Sequence, residues 1–266
     1  MMKTKNNSYI GIFDSGVGGL TLLPALKSLL PNEKFLYISD DAFAPYGKKD
    51  KNEIINRCKI VTQNLINKGS KLIIVACNTA TTNAIDILRN DFPIPFIGIE
   101  PAIKPAALES KTKVIGVLAT KGTLSSSLFA KTSATITKDV QVIEQVGEGL
   151  VELIETGSLN SPDLTKLLES YINPMLDQNI DTLVLGCTHY PFLISRLKNM
   201  LPENVKIIDS ADAVAKQTLK VLLNNNLECL YTEKGSVEFI SSSKKSSLYN
   251  FLPNETLVTV LNSDFS

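Results

Sequence analysis

Two of the four cysteines lie in sequence surroundings that suit proton transfer. Residues 71–79 read KLIIVACNT and residues 181–189 read DTLVLGCTH, so Cys77 and Cys187 each follow an apolar run and precede polar or hydroxyl residues. The two segments superimpose at a constant offset as a weak internal repeat. Each is typical of a buried strand that ends next to its cysteine and is followed by the start of a helix.

A cysteine at the start of a helix has a definite chemistry. The partial positive charge and unpaired N–H groups at a helix amino terminus favour a thiolate and also attract a substrate carboxylate. We therefore expect the pKa of each thiol to move from about 8.5 toward neutral pH, where sulfur can exchange a proton in either direction. Two such thiols facing one pocket predict inversion: one removes a proton from a tetrahedral carbon and the other protonates its opposite face.

The other two cysteines are predicted to be structural. Cys58 lies in Lys51–Lys68, where apolar residues recur at helical spacing, and Cys229 in Leu227–Tyr231 is predicted to be buried in the core. No secretion signal is recognisable, so reduced thiols and an intracellular, cytoplasmic protein are expected, without a disulfide framework.

The order of strands and helices predicts how the thiols are positioned. Strands separated by helices indicate an α/β fold with mainly parallel sheets covered on both faces, and the carboxyl ends of such strands bind ligands. Helical patterns include Leu20–Leu30, Thr81–Asn90, Leu150–Thr156 and Ala211–Leu223. The predicted strands are Tyr9–Phe13, Lys34–Ile38, Lys71–Ala76, Phe96–Ile99, Lys113–Leu118, Gln141–Val146, Thr182–Gly186, Val205–Ile208 and Val237–Ser241.

Length and charge limit the classes of function. A chain of 266 residues with 44% hydrophobic residues can form two α/β domains, each with its own core. The 27 basic and 27 acidic residues form no basic stripe, so nucleic acid is not expected as the main partner. No apolar run approaches the roughly 20 residues of a membrane-spanning helix, so no membrane association is expected.

Several polar residues have a structural interpretation as well as a functional one. Asp14 and Ser15 could cap a helix near Leu20, and Asp209-Ser210 is predicted to cap the helix that follows it. Thr79 and Thr81 are cap candidates after Cys77, and Pro191 suits a first helical turn after Cys187. The run from Lys48 to Lys51 is predicted to be a solvated face.

Other enzyme classes fit parts of the sequence. Gly16 and Gly18, followed by a second strand ending near Asp40, imitate a dinucleotide-binding fingerprint, but Thr21 stands where its third glycine is required. Cys187 with His189 could form a cysteine hydrolase pair. Zinc held by Cys77, Cys187 and His189 lacks a fourth ligand, so no metal is expected. A non-catalytic amino-acid-binding module would not need paired thiols.

Five motifs together resemble the aspartate/glutamate racemase family over about residues 10–215, and the motifs around the two cysteines are the most specific. They are Asp14-Ser15-Gly16-Val17-Gly18-Gly19, Pro45-Tyr46-Gly47, Ala76-Cys77-Asn78-Thr79-Ala80, Ala119-Thr120-Lys121-Gly122-Thr123 and Gly186-Cys187-Thr188-His189-Tyr190-Pro191.

The resemblance implies an activity and an architecture. It implies a cofactor-independent enzyme that makes D-glutamate for peptidoglycan, with two doubly wound α/β domains, the active site between them and a homodimeric assembly. The first domain would comprise residues 1–100 and 207–266, and the second residues 101–206. Within the same superfamily, an aspartate racemase or a single-thiol decarboxylase is the nearest alternative, and paired cysteines disfavour the decarboxylase.

The resemblance also implies roles for individual residues. Cys77 and Cys187 match the acid/base thiols, Asp14 a carboxylate beside the first thiol, and His189 and Glu155 the polar partners of the second. Substrate contacts are implied for Asp14, Ser15, Tyr46, Gly47, Asn78, Thr79, Thr120, Thr123, Thr188 and His189.

The sequence departs from the family's pattern at two places. Many members have Ala-Cys-Pro where this chain has Val146-Gly147-Glu148, which leaves open whether Glu152 or Glu155 is the acidic partner. Many members also have a hydroxyl residue where this chain has Asp41, a change that could affect the pocket wall or subunit packing.

Overall fold

The chain folds around two parallel β-sheets in a computed structural model that describes residues 8–135 and 139–261. All nine predicted strands form, and one strand, β10, was not predicted. The first sheet has the order β10-β9-β2-β1-β3-β4 and all of its strands are parallel. Its strands are β1 (Tyr9–Asp14), β2 (Lys34–Ser39), β3 (Ser70–Val75), β4 (Phe96–Gly98), β9 (Val237–Ser241) and β10 (Val258–Val260).

The second sheet has four parallel strands in the order β6-β5-β7-β8. They are β5 (Val114–Ala119), β6 (Gln141–Val146), β7 (Thr182–Gly186) and β8 (Lys206–Ile208). The division of the chain into residues 1–100 with 207–266 and residues 101–206 stays a proposal. β8 continues to Ile208 within the second sheet, so the sheet itself extends slightly beyond that boundary.

Helices cover both faces of the first sheet, as expected for central strands that are buried on both sides. Apolar residues of α1 and α10 pack in one core cluster, which contains Ile10 and Ile12 of β1. Residues of α2 and α3 pack in another, which contains Phe13. The helices are α1 (Leu23–Leu29), α2 (Lys51–Asn67), α3 (Asn78–Asp91), α4 (Ile103–Glu109), α5 (Lys121–Leu124), α6 (Ser127–Ala134), α7 (Leu150–Glu155), α8 (Pro162–Leu176), α9 (Ile194–Met200) and α10 (Ala211–Asn224).

Strand register brings the motif residues to the carboxyl edges of the sheets. Asp14 at the end of β1 pairs with Ser39 of β2, and Phe13 pairs with Val75 of β3. In the second sheet, Ala119 of β5 pairs with Gly186 of β7. The loops that carry Cys77 and Cys187 therefore leave these edges directly, beside the loops that follow β1 and β5.

Some local predictions were wrong. Cys77, and not Thr79 or Thr81, caps α3: its sulfur accepts a hydrogen bond from the N–H of Ala80 at 3.5 Å. Cys229 is only partly buried, because it lies in an irregular loop beyond α10 and not in a packed element. Cys58 is fully buried in α2, as predicted.

Helix starts also differ from expectation in detail. The predicted helix Leu20–Leu30 begins as a 3-10 helix, Gly18–Leu22, whose cap residue Val17 makes no side-chain bond, so Asp14 and Ser15 do not cap it. A 3-10 helix, Tyr190–Leu193, likewise precedes α9. Of the predicted cap pair before α10, Asp209 Oδ1 accepts a hydrogen bond from the N–H of Ala211 at 2.8 Å. The side chain of Ser210, the cap residue itself, makes no cap bond and donates to the carbonyl of Glu100.

No helix in residues 8–135 or 139–261 is both long enough and apolar enough to span a membrane.

Candidate active site

The carboxyl edges of the two sheets face each other across a cavity of about 620 Å³. Both Cys77 and Cys187 line this cavity, and each is 6% exposed. The sulfurs therefore share one partly enclosed space and are not sealed in separate cores. The other predicted site residues that line it are Ser15, Tyr46, Gly47, Asn78, Thr79, Thr120, Thr188 and His189.

Cys77 has three polar neighbours at the end of the first sheet. Its sulfur lies 3.7 Å from Ser15 Oγ and 3.5 Å from the backbone nitrogen of Ala80. Asp14, fully buried at the end of β1, acts on it electrostatically. The thiol is therefore held by one helix amino terminus and one hydroxyl, with a carboxylate close by.

These surroundings do not lower the pKa of Cys77, contrary to the expectation from its position at a helix start. Burial, together with the negative charge of Asp14, raises the pKa of this thiol to about 12. The hydrogen bonds to Ala80 and Ser15 act in the opposite direction but are outweighed. In the free protein, Cys77 is therefore a protonated thiol near neutral pH.

Replacing Asp14 with asparagine is expected to make Cys77 more reactive. The change removes a negative charge that raises the pKa of Cys77, and a shift of one pKa unit means about tenfold more thiolate at any pH well below that pKa. We expect Cys77 of the Asp14→Asn variant to be alkylated by iodoacetamide at pH 8 about tenfold faster than Cys77 of the unmodified protein. Peptide mass spectrometry measures the rate.

Asp86→Asn is the matched control. Asp86 carries the same charge as Asp14, but it is exposed and lies on α3, the helix that Cys77 caps. An equal acceleration in both variants, or none in Asp14→Asn, would show that Asp14 does not control the ionisation of Cys77.

On the opposite wall, Cys187 begins a chain of polar contacts. Its sulfur lies 3.8 Å from Nδ1 of His189, and Nε2 of His189 lies 2.5 Å from Oε1 of Glu155. Glu155 also accepts a hydrogen bond from the N–H of Val17 at 3.0 Å. The structure thus brings together Cys187, His189 and Glu155, and the last of these is held against the loop that follows β1.

The charges of His189 and Glu155 stabilise each other. Burial alone would lower the pKa of His189, but its contacts with Cys187 and Glu155 raise that pKa well above its ordinary value. Burial alone would raise the pKa of Glu155, yet the hydrogen bond and charge of His189 hold it below the usual value. An imidazolium paired with a carboxylate is therefore the favoured state at neutral pH.

Asp14 connects the two walls. It accepts a hydrogen bond at 2.8 Å from the hydroxyl of Thr188, next to Cys187, and another at 2.9 Å from the N–H of Gly16. Burial raises the pKa of Asp14, while His189 and these hydrogen bonds partly offset the rise. The carboxylate is not part of the cavity lining, and it joins the loop that follows β1 to the loop that carries Cys187.

The glycines of the loop after β1 allow close contact with the polar chain. A Cβ atom on Gly16 would lie 1.8 Å from Glu155 Oε1, and one on Gly18 would lie 2.5 Å from both His189 Nδ1 and Thr188 Oγ1. Side chains of α7 and of the loop after β7 therefore occupy the face of the glycine loop on which a dinucleotide phosphate would have to rest. This arrangement disfavours the oxidoreductase alternative.

At another side of the cavity, hydroxyl groups connect the segment that follows β3 to the segment that follows β5. Thr79 and Thr120 are joined by a hydrogen bond of 2.9 Å between their hydroxyls, and Thr120 contacts the Thr123 hydroxyl at 3.0 Å. Thr123 itself is fully buried and does not line the cavity, so its hydroxyl contacts Thr120 and not the space where the predicted substrate contact would lie.

Asn78 is the least satisfied of these polar residues. Its side chain is 3% exposed, and both its amide nitrogen and its oxygen are buried without a hydrogen-bond partner. Buried amides are normally hydrogen-bonded, so such a pair of unused groups beside a cavity indicates a place for a polar ligand.

Tyr46 and Gly47 belong to a loop that a buried ion pair supports. The Tyr46 hydroxyl donates a 2.5 Å hydrogen bond to Asp40. Arg57 of α2 binds both oxygens of the same carboxylate, at 3.1 and 2.8 Å, and its guanidinium lies over the ring of Phe43. Asp40 and Arg57 were not predicted as site residues, and no short motif marks them, because α2 lies distant from Asp40 in sequence.

Glu152 and Lys48 face each other at the rim. Lys48 Nζ lies 2.5 Å from Glu152 Oε1, and both residues line the cavity. Lys48 is exposed, as predicted for a solvated face. The sequence did not predict that it pairs with an acidic residue across the cavity mouth. Of the two acidic residues that the sequence left open, Glu155 contacts His189 and Glu152 does not occupy that position.

Asp41, the residue at which the sequence departs from the family's pattern, is held by serines and does not line the cavity. Its carboxylate accepts hydrogen bonds from Ser39, Ser241 and Ser246, so it joins the loop before Tyr46 to the end of β9 and to the segment that follows β9. Within the described residues, no group of three His, Cys, Asp or Glu side chains is placed to hold a metal ion.

A family model described as Asp/Glu/Hydantoin racemase matches residues 21–218, which include both thiols. The chain is 47% identical over 219 residues to a protein of Ectopseudomonas mendocina named glutamate racemase. That match covers 82% of this chain and 83% of the relative.

Two solved structures are similar over nearly their whole length. The glutamate racemase isoform RacE1 from Bacillus anthracis has a TM-score of 0.86 and 30% identity, with 96% of this chain and 97% of that chain covered. The Escherichia coli glutamate racemase in complex with L-glutamate and the activator UDP-MurNAc-ala has a TM-score of 0.83 and 30% identity, with coverages of 95% and 98%.

Proposed function

The chain belongs to the Asp/Glu/Hydantoin racemase family, and from this premise we propose that it interconverts L-glutamate and D-glutamate by proton transfer between two thiols. The reaction needs no cofactor and supplies D-glutamate for peptidoglycan. One observation carries the mechanism: Cys77 and Cys187 line the same cavity from the ends of two different sheets.

Substrate binding uses the polar groups around the thiols. The unpartnered amide of Asn78 offers a donor and an acceptor, and the hydroxyls of Ser15, Thr79 and Thr188 line the same cavity. The N–H groups at the start of α3 add a favourable potential for a carboxylate. We assign these groups to the charged ends of glutamate.

Substrate charge also prepares Cys77 for its role. The negative charge of Asp14 helps to keep this thiol protonated in the free protein. A bound α-ammonium group adds a positive charge in the same cavity, which counteracts Asp14 and lowers the pKa of Cys77 toward the range in which it can act as a base.

The second thiol acts on the other face of the substrate. One thiolate removes the α-proton and the opposite thiol donates its own proton to the carbanion, with the two roles exchanged for the other enantiomer. His189, paired with Glu155, lies next to Cys187 and is placed to stabilise its thiolate. Preorganised hydrogen-bond donors and a water-poor cavity must stabilise the negative charge on carbon.

The remaining proposals concern the setting of the reaction. Both thiols must stay reduced, which agrees with the cytoplasm as the location. A homodimer is proposed from the resemblance to the family. Aspartate is the second candidate substrate, and glutamate is preferred because the relatives reported above are glutamate racemases.

Exchange with solvent deuterium tests the activity. Purified, metal-stripped protein is incubated in deuterated water with L-glutamate or L-aspartate, without added cofactor, and optical rotation and α-deuterium are followed. We expect rotation to fall to zero with glutamate and the D-enantiomer to carry one deuterium at the α-carbon.

Inversion only with aspartate would transfer the assignment to that substrate. Activity only after addition of a nicotinamide would replace the proposal by the oxidoreductase alternative.

A further inference from the structure

Arg57 carries a charge on the buried side of α2. Its side chain is 5% exposed, and its neighbours on the same side of the helix, Ile54, Cys58 and Val61, belong to an apolar core cluster. A buried charge is costly unless it is paired and hydrogen-bonded. Packing alone would favour an apolar residue at this position, so the contacts of Arg57 must account for its charge.

The carboxylate of Asp40, directly after β2, pairs with this charge. Arg57 Nε donates to Oδ2 at 3.1 Å and Nη2 donates to Oδ1 at 2.8 Å, so the guanidinium binds both carboxylate oxygens. The N–H of Asp40 donates to the carbonyl of Asp14 at 2.9 Å, which fixes its backbone beside the end of β1. Asp40 is fully buried and does not line the cavity. The ion pair is thus a fixed point at the carboxyl edge of the first sheet.

Two residues of the following loop are held by this ion pair. The Tyr46 hydroxyl donates a 2.5 Å hydrogen bond to Asp40 Oδ2, the oxygen that also accepts from Arg57 Nε. Cζ of Arg57 lies over the ring of Phe43, 3.6 Å from the ring centroid. A planar guanidinium can make both contacts at once, because its donors lie in its plane and its faces are free to stack on an aromatic ring.

The end of that loop forms part of the cavity wall. Tyr46 and Gly47 line the cavity, and Gly47 meets the segment that follows β5. A Cβ atom on Gly47 would lie 3.3 Å from Cβ of Thr120, and one on Gly122 would lie 3.5 Å from Cα of Gly47. The two segments are in close contact here, so a displacement of the loop changes the space available to a substrate.

We propose that Arg57 is a positioning residue for substrate binding, because together with Asp40 it fixes Tyr46 and Gly47 in the cavity wall. The inference rests on the proposed racemase function and deepens it by assigning a residue outside the five motifs. The contacts that hold the two thiols do not involve the ion pair. A displaced loop should therefore impair substrate binding more than proton transfer.

Arg57→Lys is the first test. Lysine keeps a positive charge beside Asp40, so no buried carboxylate is left unpaired, but it cannot bind both oxygens in the fixed geometry of a guanidinium or stack on Phe43 in the same way. We expect KM for L- and D-glutamate to rise about tenfold, in the range of a lost hydrogen bond to a charged group, and kcat to change by less than about threefold. Steady-state polarimetry measures both constants.

Tyr46→Phe tests whether Arg57 acts through Asp40. This change removes only the hydroxyl that joins the cavity wall to the carboxylate, and it should also raise KM. Combined with Arg57→Lys, it should raise KM little further, because both changes break the same link and residues of one hydrogen-bond network are not additive. If the two increases in KM multiply, Arg57 does not act through this link and the proposal is wrong.

Arg89→Lys is the matched control, because Arg89 is exposed on α3, where it pairs with Asp86. It should behave like the unmodified protein. An unchanged KM in Arg57→Lys, with or without a lower kcat, would refute the positioning role and leave the function standing. A smaller folded fraction, which thermal unfolding measures independently, lowers the apparent kcat without raising KM and so cannot imitate the expected result. If the unmodified protein does not racemise glutamate, the proposed function itself fails.

Discussion

Cys77→Ser and Cys187→Ser are each expected to abolish detectable racemisation of glutamate. A serine hydroxyl holds its proton far more tightly than a thiol, so neither variant can complete a transfer that needs a base on one face and an acid on the other. Each positioned acid or base contributes about 10² to 10⁴-fold to the rate, so the loss should have at least this size. Polarimetry on both enantiomers measures it.

A partial reaction makes the same two variants more informative. Elimination of HX from a glutamate analogue with a leaving group on the β-carbon needs one base to remove the α-proton, and the electron pair then expels the leaving group. At least one of the single variants should keep this activity, which would show that its remaining thiol is still in place.

Cys229→Ser is the control, because Cys229 lies in a loop outside the cavity. Near-normal racemisation by both single variants at the site would refute the two-thiol mechanism.

Gly18→Ala is expected to lower kcat/KM by about 100-fold, the size of effect that a misplacement of about 1 Å produces in an active site. The added methyl group would lie 2.5 Å from both His189 Nδ1 and Thr188 Oγ1, much closer than van der Waals contact allows. Both side chains must move, and they belong to the two residues that directly follow Cys187. Steady-state kinetics with L- and D-glutamate would measure the loss.

Gly11→Ala separates crowding from misplacement. A methyl group on Gly11 would also be crowded, at 2.7 Å from Ser70 Oγ, but it lies within β1 and away from the cavity. We expect this variant to be less stable to heat and yet to keep most of its kcat/KM when folded. Equal losses of activity in both glycine variants would contradict the assignment of Gly18 to the site.

The fold was largely predictable because its signals are local. Nearly every residue of β1, β3, β5 and β7 is buried, and strands that are buried on both faces have continuously apolar sequences. This pattern distinguishes them from the amphipathic helices. The short edge strand β10 (Val258–Val260) was not predicted, because three residues provide too little pattern. Its pairing with β9 depends on a neighbour that sequence alone does not reveal.

By itself, the sequence identified both thiols and most of the polar residues that line the cavity. Cys77 and Cys187 follow strands, and the ends of parallel strands necessarily gather at one edge of a sheet, so their placement follows from local pattern and topology. The glycines after β1 and the hydroxyls after each thiol are likewise specified by their distance from a strand end.

Only the tertiary structure decided how these residues act on each other. The raised pKa of Cys77 depends on burial and on the charge of Asp14, and the choice of Glu155 over Glu152 depends on contact with His189. Electrostatic energies vary with distance and burial in space, and residues that are far apart in sequence acquire both only when the two sheets pack against each other.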